Sequence, residues 1–169
     1  MDFEIIGGTH DLLINKTLAA AMLVNLEKVG GVKYTPDEIA FSKSIQSTFS
    51  GRIPSLDSAA LVKPLHLEKA QGSTDVGDVS YTVPTVGLGA ATWVPGTAPH
   101  SWQAIACGGT DIGIKGMMVA AKTMAFTAID LFTNPELVKK AKEEFNSSNG
   151  TYQYKALLGD RQPALNYRD

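Results

Sequence analysis

The feature that most constrains the fold is a long apolar segment in the second half of the chain. Between residues 112 and 132 the charged side chains are Lys115, Lys122 and Asp130, and Ile, Met, Val, Ala, Phe and Leu dominate the rest. These charges are seven and eight residues apart, close to two helical turns, so they share one narrow stripe. The pattern predicts a helix from about Gly109 to Phe132, covered by other elements on most sides. The charges argue against a membrane span, and we expect no membrane partner.

Three further helices have recognisable ends. Each begins at a polar residue that can accept a hydrogen bond from the first turn, and two have proline at the first helical position. The second also carries a glutamate three residues after its cap, which completes a capping box. The residues that carry these signals are Asn15, Thr35, Pro36, Glu38, Asn134 and Pro135, with Gly30-Gly31 and Gly150 as the helix ends.

Strands are predicted in three places. The segment "DFEII" is a short strand candidate at residues 2–6, and another lies around residues 65–67. The uncharged run "TVGLGAAT", residues 85–92, is bounded by Pro84 and by "VPG" and predicts a buried strand with close backbone neighbours. The expected fold class is therefore α/β, with α+β as the variant, in which buried strands pack with several helices.

Composition and charge limit the possible functions. The chain has 169 residues, 44% of them apolar and 19% charged, which is typical of a globular protein of about one domain. With 15 basic and 17 acidic side chains and no basic cluster among aromatics, we expect no nucleic-acid partner. One cysteine and the absence of signal-peptide features at the N-terminus favour a cytoplasmic location.

His100 is the first candidate functional residue. It follows Pro99 in "GTAPHSWQAIACGG", between the predicted strand and the apolar helix, where α/β proteins often place ligand-handling residues. The alternative is a loop histidine that bonds to backbone or water. Cys107, in the same stretch, is better interpreted as a small buried residue than as a nucleophile. His10 and His66 show no partner pattern and receive no role.

Asp75 and Asp78 form the second candidate. They lie three residues apart in "GSTDVGDVSYTVPT", a loop rich in Gly, Ser and Thr. Two such carboxylates could bind a metal or orient a ligand. They could equally favour the start of a short helical turn that Ser73 or Thr74 caps.

The motifs "GSTDVGDVSYTVPTVGLGAATWVPGTAPHSWQ" and "GIKGMMVAAKTMA" resemble the C-terminal part of the zinc-dependent aminoacylase/carboxypeptidase family of metallopeptidases. Within that family they are most similar to the amidohydrolase branch that acts on p-aminobenzoyl-glutamate. The likeness spans roughly residues 1–165. It implies a partial catalytic domain at residues 11–150, preceded by the end of a lid-domain strand at 1–10 and followed by a tail at 151–169.

The resemblance also implies roles for individual residues. His100 matches the last metal-ligand histidine of the family, and Gly72, Ser73 and Asp75 match a loop beside the active site. Thr74 departs from the family, where many members have glutamate. The remaining ligands and the general base lie in the family's N-terminal half, so no residue here is assigned as catalytic.

Two functional hypotheses follow. In the first, the chain completes a hydrolase that binds zinc or manganese and a small amide substrate when a polypeptide equivalent to the N-terminal half is present. By itself the chain would then bind metal weakly or not at all. In the second, the chain is a non-catalytic remnant or self-associating module. In either case we expect a homodimer through residues 117–132 or 86–93, unless the tail folds back and covers these faces.

Overall fold

The computed structural model describes residues 7–66, 74–160, 162 and 165 of the 169-residue chain. The elements in this part are helical, with one short 3₁₀ turn at Leu56–Ala60. The α-helices are α1 (Lys16–Val29), α2 (Pro36–Gln46), α3 (Val76–Ser80), α4 (Trp102–Gly108), α5 (Asp111–Thr133) and α6 (Pro135–Asn149).

The helix ends lie where the capping pattern predicts them. The Asn15 side chain accepts a hydrogen bond from the Leu18 amide, and Gly30 ends α1 with a φ of 78°. Thr35 and Glu38 form the reciprocal hydrogen bonds of a capping box at the start of α2. Asn134 caps α6 through the Leu137 amide. These predictions are confirmed because capping depends on residues within one turn of each other.

A small apolar core joins α2, α4 and the start of α5. Ile45, Val94, Cys107 and Ile112 are buried together, and partly buried aromatic and aliphatic side chains pack around them. Cys107 is fully buried, as its interpretation as a small core residue predicted. The side chains around this core are Tyr34, Phe41, Phe49, Leu56 and Ala106.

The packing of α5 reverses the expected arrangement. This helix contacts α1, α4 and α6, but its buried positions carry small or polar residues, Ile112 apart. Its large apolar side chains are exposed instead, with Phe132 at 90%, so the expectation that the helix is covered on most sides is wrong. The buried positions are Ile112, Gly113, Gly116, Thr123 and Thr127. The exposed apolar residues are Ile114, Met117, Met118, Met124, Phe126, Ile129 and Phe132.

A polar network explains why α1 and α5 pack through this face. The Asn25 amide nitrogen donates to Asp130 Oδ2 at 2.6 Å and to Thr127 Oγ1 at 3.3 Å, and Lys28 donates to Asn25 Oδ1. Asn25 is almost fully buried, so its polar atoms must be paired. On the α2 side of α5, Lys115 Nζ donates to Glu38 Oε2 at 2.6 Å. Lys115 and Asp130 therefore both point toward neighbouring helices.

The α/β prediction is wrong for the part of the chain that the structure describes, which contains no β-strand. Residues 85–92 form no regular secondary structure, and none of them is fully buried. A strand requires a neighbour with which to exchange backbone hydrogen bonds, and the described residues provide none. Residues 65 and 66 are likewise irregular, whereas residue 67 and the predicted strand at 2–6 lie outside the described residues.

The backbone of residues 91 and 92 nevertheless approaches a helix closely. A β-carbon added at Gly116 would collide with the carbonyl of Ala91, and it would also meet the Thr92 nitrogen. The close backbone neighbour expected for this run is therefore α5, and glycine at 116 makes the approach possible.

One helix of the described chain, α5, is long and apolar enough to cross a bilayer by length and composition, although 28% of its most apolar window is buried. A single such helix is weak evidence for a span. The expectation of no membrane partner stays a prediction.

Candidate functional site

His100 lies immediately before α4 in an unusual backbone conformation. Its φ is 58°, in the left-handed region that few residues other than glycine adopt. The next residue, Ser101, caps α4 by accepting from the Ala104 amide. The imidazole is exposed, and two exposed apolar side chains, Trp102 and Ile105, follow it on α4. The structure therefore presents His100 on a constrained loop at the surface.

Asp75 lies at the start of the short helix α3, where Thr74 Oγ1 accepts from the Val76 amide. Its carboxylate makes no capping hydrogen bond. It borders an open depression of about 580 Å³ that is also lined by Gly7, Gly8, Thr9 and Thr74. His100 is not among the residues that line this depression. The other two predicted loop residues, Gly72 and Ser73, lie outside the described residues.

Asp78 pairs with a histidine that the sequence left without a role. His10 Nδ1 lies 2.6 Å from Asp78 Oδ1, and His10 Nε2 lies 2.7 Å from the Tyr152 hydroxyl. The hydrogen bond from His10 is the main cause that lowers the pKa of Asp78 below its ordinary value of 3.8. The carboxylate is therefore charged at neutral pH and accepts the proton that Nδ1 carries.

Three tyrosines surround the His10 ring. The centroids of the Tyr81, Tyr152 and Tyr154 rings lie 5.1, 5.8 and 5.5 Å from the imidazole centroid. The Tyr81 hydroxyl donates to Asp11 at 2.9 Å, which raises the pKa of Tyr81. Burial and the nearby Asp78 raise the pKa of Tyr154. We call His10, Asp78, Tyr81, Tyr152 and Tyr154 the tyrosine–histidine cluster.

Backbone packing holds this cluster together. A β-carbon at Gly77 would collide with the carbonyl of His10, so α3 can approach His10 and Asp11 this closely only because residue 77 is glycine. Leu13 donates its amide hydrogen to Ser80 Oγ on the same helix. The tail packs on residues 8–10, because Leu157 lies against Gly8 and the rings of Tyr152 and Tyr154 lie beside His10. The described part of the tail leaves the exposed face of α5 uncovered.

A larger cleft of about 780 Å³ lies elsewhere on the molecule, with mainly apolar walls. One wall is formed by α1, and residues 61–66 and 87–91 form much of the rest. His66 lies at its border and is exposed. Residues 61–66 and 87–91, which overlap two of the predicted strands, thus both border this cleft.

The described residues do not fit a complete metal centre. No three His, Cys, Asp or Glu side chains among them approach closely enough to hold an ion. Structural zinc sites use four protein ligands and catalytic sites three. In this part of the chain, His100 therefore belongs to no group of three potential ligands.

Comparison with known proteins identifies a relative. The chain is similar to one of the subunits of p-aminobenzoyl-glutamate hydrolase from Escherichia coli (strain K12), with 32% identity over 167 aligned positions that cover 84% of the chain. The chain is a homologue of this hydrolase subunit. The alignment covers 35% of the E. coli protein, so the chain spans about a third of the length of its relative. No protein-family profile and no solved structure matches the chain.

The likeness to the E. coli p-aminobenzoyl-glutamate hydrolase confirms the resemblance that the motifs carry. It leaves the individual residue roles as predictions. The tyrosine–histidine cluster had no signal in the sequence, because His10 is 68 residues from Asp78 and 142 residues from Tyr152.

Proposed function

We propose that the chain forms part of a metal-dependent amidohydrolase that cleaves N-acyl or p-aminobenzoyl-glutamate-type amides. The observation that carries this proposal is the 32% identity to a component of p-aminobenzoyl-glutamate hydrolase. His100 contributes one ligand to zinc or manganese, and the loop that contains Gly72, Ser73 and Asp75 borders the substrate. The other ligands and the general base come from outside the described residues.

Two local features support these roles. The loop of His100 is constrained on both sides, by Pro99 before it and by the Ser101 cap after it, so the exposed imidazole has little backbone freedom to lose on binding. Asp75 has no intramolecular capping bond and borders an open depression, which leaves its carboxylate available to a ligand.

A chimera tests the proposal directly. The segment of the E. coli hydrolase that aligns with this chain is replaced by the chain, and the other component of that hydrolase is supplied. Hydrolysis of p-aminobenzoyl-glutamate is then measured with zinc or manganese. We expect activity, and its loss by a factor of about 100 or more in His100→Ala, since removing an essential group abolishes most catalysis. His66→Ala, which changes another exposed histidine, is the control and retains activity.

A folded chimera without activity contradicts the hydrolase proposal. An active chimera in which His100→Ala has no effect contradicts the role of His100 alone. Metal binding to the unmodified chain, measured by calorimetry, should be weak, because a single imidazole cannot form a zinc site. A tight stoichiometric site would show that the chain carries further ligands.

A second candidate function is a self-associating module without catalysis. The observation that favours it is the row of exposed apolar side chains along α5. Contiguous apolar surface larger than a few hundred Å² usually marks an interaction site. This face would serve equally well to pack against a partner polypeptide of the hydrolase.

A further inference from the structure

We propose that Tyr152 is an activated phenol that accepts an acyl group from an activated ester, with His10 as its general base and Asp78 as the residue that orients His10. This inference rests on the geometry of the tyrosine–histidine cluster and is independent of the hydrolase proposal.

The hydrogen bonds define the direction of proton transfer. The Asp78 carboxylate can only accept, so the proton on the neutral imidazole lies on Nδ1, 2.6 Å from Asp78 Oδ1. Nε2 is then the acceptor for the Tyr152 hydroxyl at 2.7 Å. A nucleophilic hydroxyl, a base and a group that orients the base are thus connected in series, the arrangement that activates hydroxyl nucleophiles in general.

The cluster distinguishes Tyr152 from its neighbours. Tyr81 donates to the Asp11 carboxylate, and this hydrogen bond raises the pKa of Tyr81. Burial and the neighbouring Asp78 raise the pKa of Tyr154. Tyr152 faces an imidazole nitrogen that can take its proton. Tyr81 and Tyr154 are therefore internal controls of similar size and aromatic surroundings.

The exposed fractions of the three side chains also fit a site with a shielded base and an accessible nucleophile. The side chains of His10 and Asp78 are 12% and 19% exposed, whereas Tyr152 is 43% exposed. The base is shielded and the phenol is accessible to a reagent. Asn149 fixes the Tyr152 backbone, since its carbonyl accepts from the Tyr152 amide and its side chain donates to the Tyr152 carbonyl.

The reaction balances without a further reagent. The Tyr152 phenol oxygen attacks the ester carbonyl carbon while its proton passes to Nε2 of His10. The bond from the carbonyl carbon to the leaving oxygen breaks, and the leaving group departs with the electron pair. His10 then returns the proton to the leaving group or to water, and Tyr152 is left as an O-acyl ester.

The full chain is treated with p-nitrophenyl acetate, release of p-nitrophenolate is followed, and acetylated residues are mapped by mass spectrometry. We expect one acetyl group on Tyr152 before any on Tyr81 or Tyr154. His10→Gln should slow acetylation of Tyr152 by about 100-fold, since a positioned base contributes at least this much. Tyr152→Phe should abolish the fast phase, and Tyr81→Phe should retain it. Far-ultraviolet circular dichroism confirms that each variant keeps its helices.

The pH profile separates a base from a structural contact. The wild-type and His10→Gln rates should depend on pH in different ways, because the variant has no imidazole to accept the Tyr152 proton. The groups that face the His10 ring are Asp78 and the tyrosines of the cluster. Acetyl groups spread over the tyrosines, or a Tyr152 rate that is independent of His10, would overturn the proposal and leave the cluster as a tie between the tail and α3.

Discussion

Glu144 shows how one side chain can cap a helix to which it does not belong. Its Oε1 accepts from the Lys16 amide and its Oε2 from the Thr17 amide, both at 2.8 Å, so a carboxylate of α6 closes the first turn of α1. Asn15 strengthens the same junction by donating to the Ala141 carbonyl. Partial burial raises the pKa of Glu144, but the hydrogen bonds from Thr17 and Lys16 outweigh it and leave this pKa below its ordinary value of 4.5.

We therefore expect Glu144→Gln to lower the free energy of unfolding by about 1 kcal/mol at pH 7, because a charge-assisted cap is lost. Since the folded-state pKa is lowered, the contribution is fully present above the ordinary carboxyl pKa and is lost as pH falls through the folded value. Urea unfolding of wild type and variant at pH 7 and pH 3 measures both effects. Glu143→Gln, at the exposed neighbouring position, is the control and should change little. An equal stability difference at both pH values would contradict the role of the charge.

At the scale of the elements, α5 packs against its neighbours mainly through residues without large side chains. The small residues on its inner face allow the backbone of Ala91 to touch it at Gly116. Thr123 and Thr127 satisfy their buried hydroxyls by donating to the carbonyls of Val119 and Thr123, four residues earlier in each case. The helix packs closely because small side chains permit short distances between backbones.

Gly116→Ala should destabilise the chain by roughly 1–3 kcal/mol, the usual cost of overpacking, although alanine favours helix more than glycine does. Met118→Ala on the exposed face of the same helix should change the free energy of unfolding by less than about 0.5 kcal/mol. Thermal and urea unfolding compare the two variants. A Gly116→Ala protein as stable as wild type would show that residues 91 and 92 move aside at no cost.

At the scale of the whole molecule, the apolar face of α5 has no cover within the described chain. The sequence offers the tail as a candidate cover, but Tyr152 and Tyr154 of the tail contact His10 instead. We propose that a second copy covers this face in solution, because closed symmetric dimers are the commonest assembly.

Light scattering at micromolar concentration should therefore give a mass above the 18.0 kDa of one chain. Met117→Glu combined with Met124→Glu, two exposed residues on the same face of α5, should shift the protein to monomer. Ile53→Glu, an exposed apolar residue in the loop after α2, is the matched control and should leave association unchanged. A wild-type monomer that binds no hydrophobic dye would refute the proposal.

Local structure in this protein could be predicted from the order of its residues. The caps at Asn15, Thr35 and Asn134 and the end of α1 at Gly30 were predictable, because each depends on groups within about one helical turn. The family resemblance was also readable from short motifs. The sequence placed His100 on a loop that runs to a helix near Gly109, and the helix α4 at Trp102–Gly108 was not predicted.

Which groups meet in space depended instead on how the whole chain folds. Whether residues 85–92 pair as a strand depends on a neighbouring strand, and which face of α5 is buried depends on the helix that packs there. The partners of His10 are 68 and 142 residues away, and they reach it because α3 and the tail converge on the N-terminal segment. Such contacts form through chain folding over long sequence separations, and no local pattern of residues encodes them.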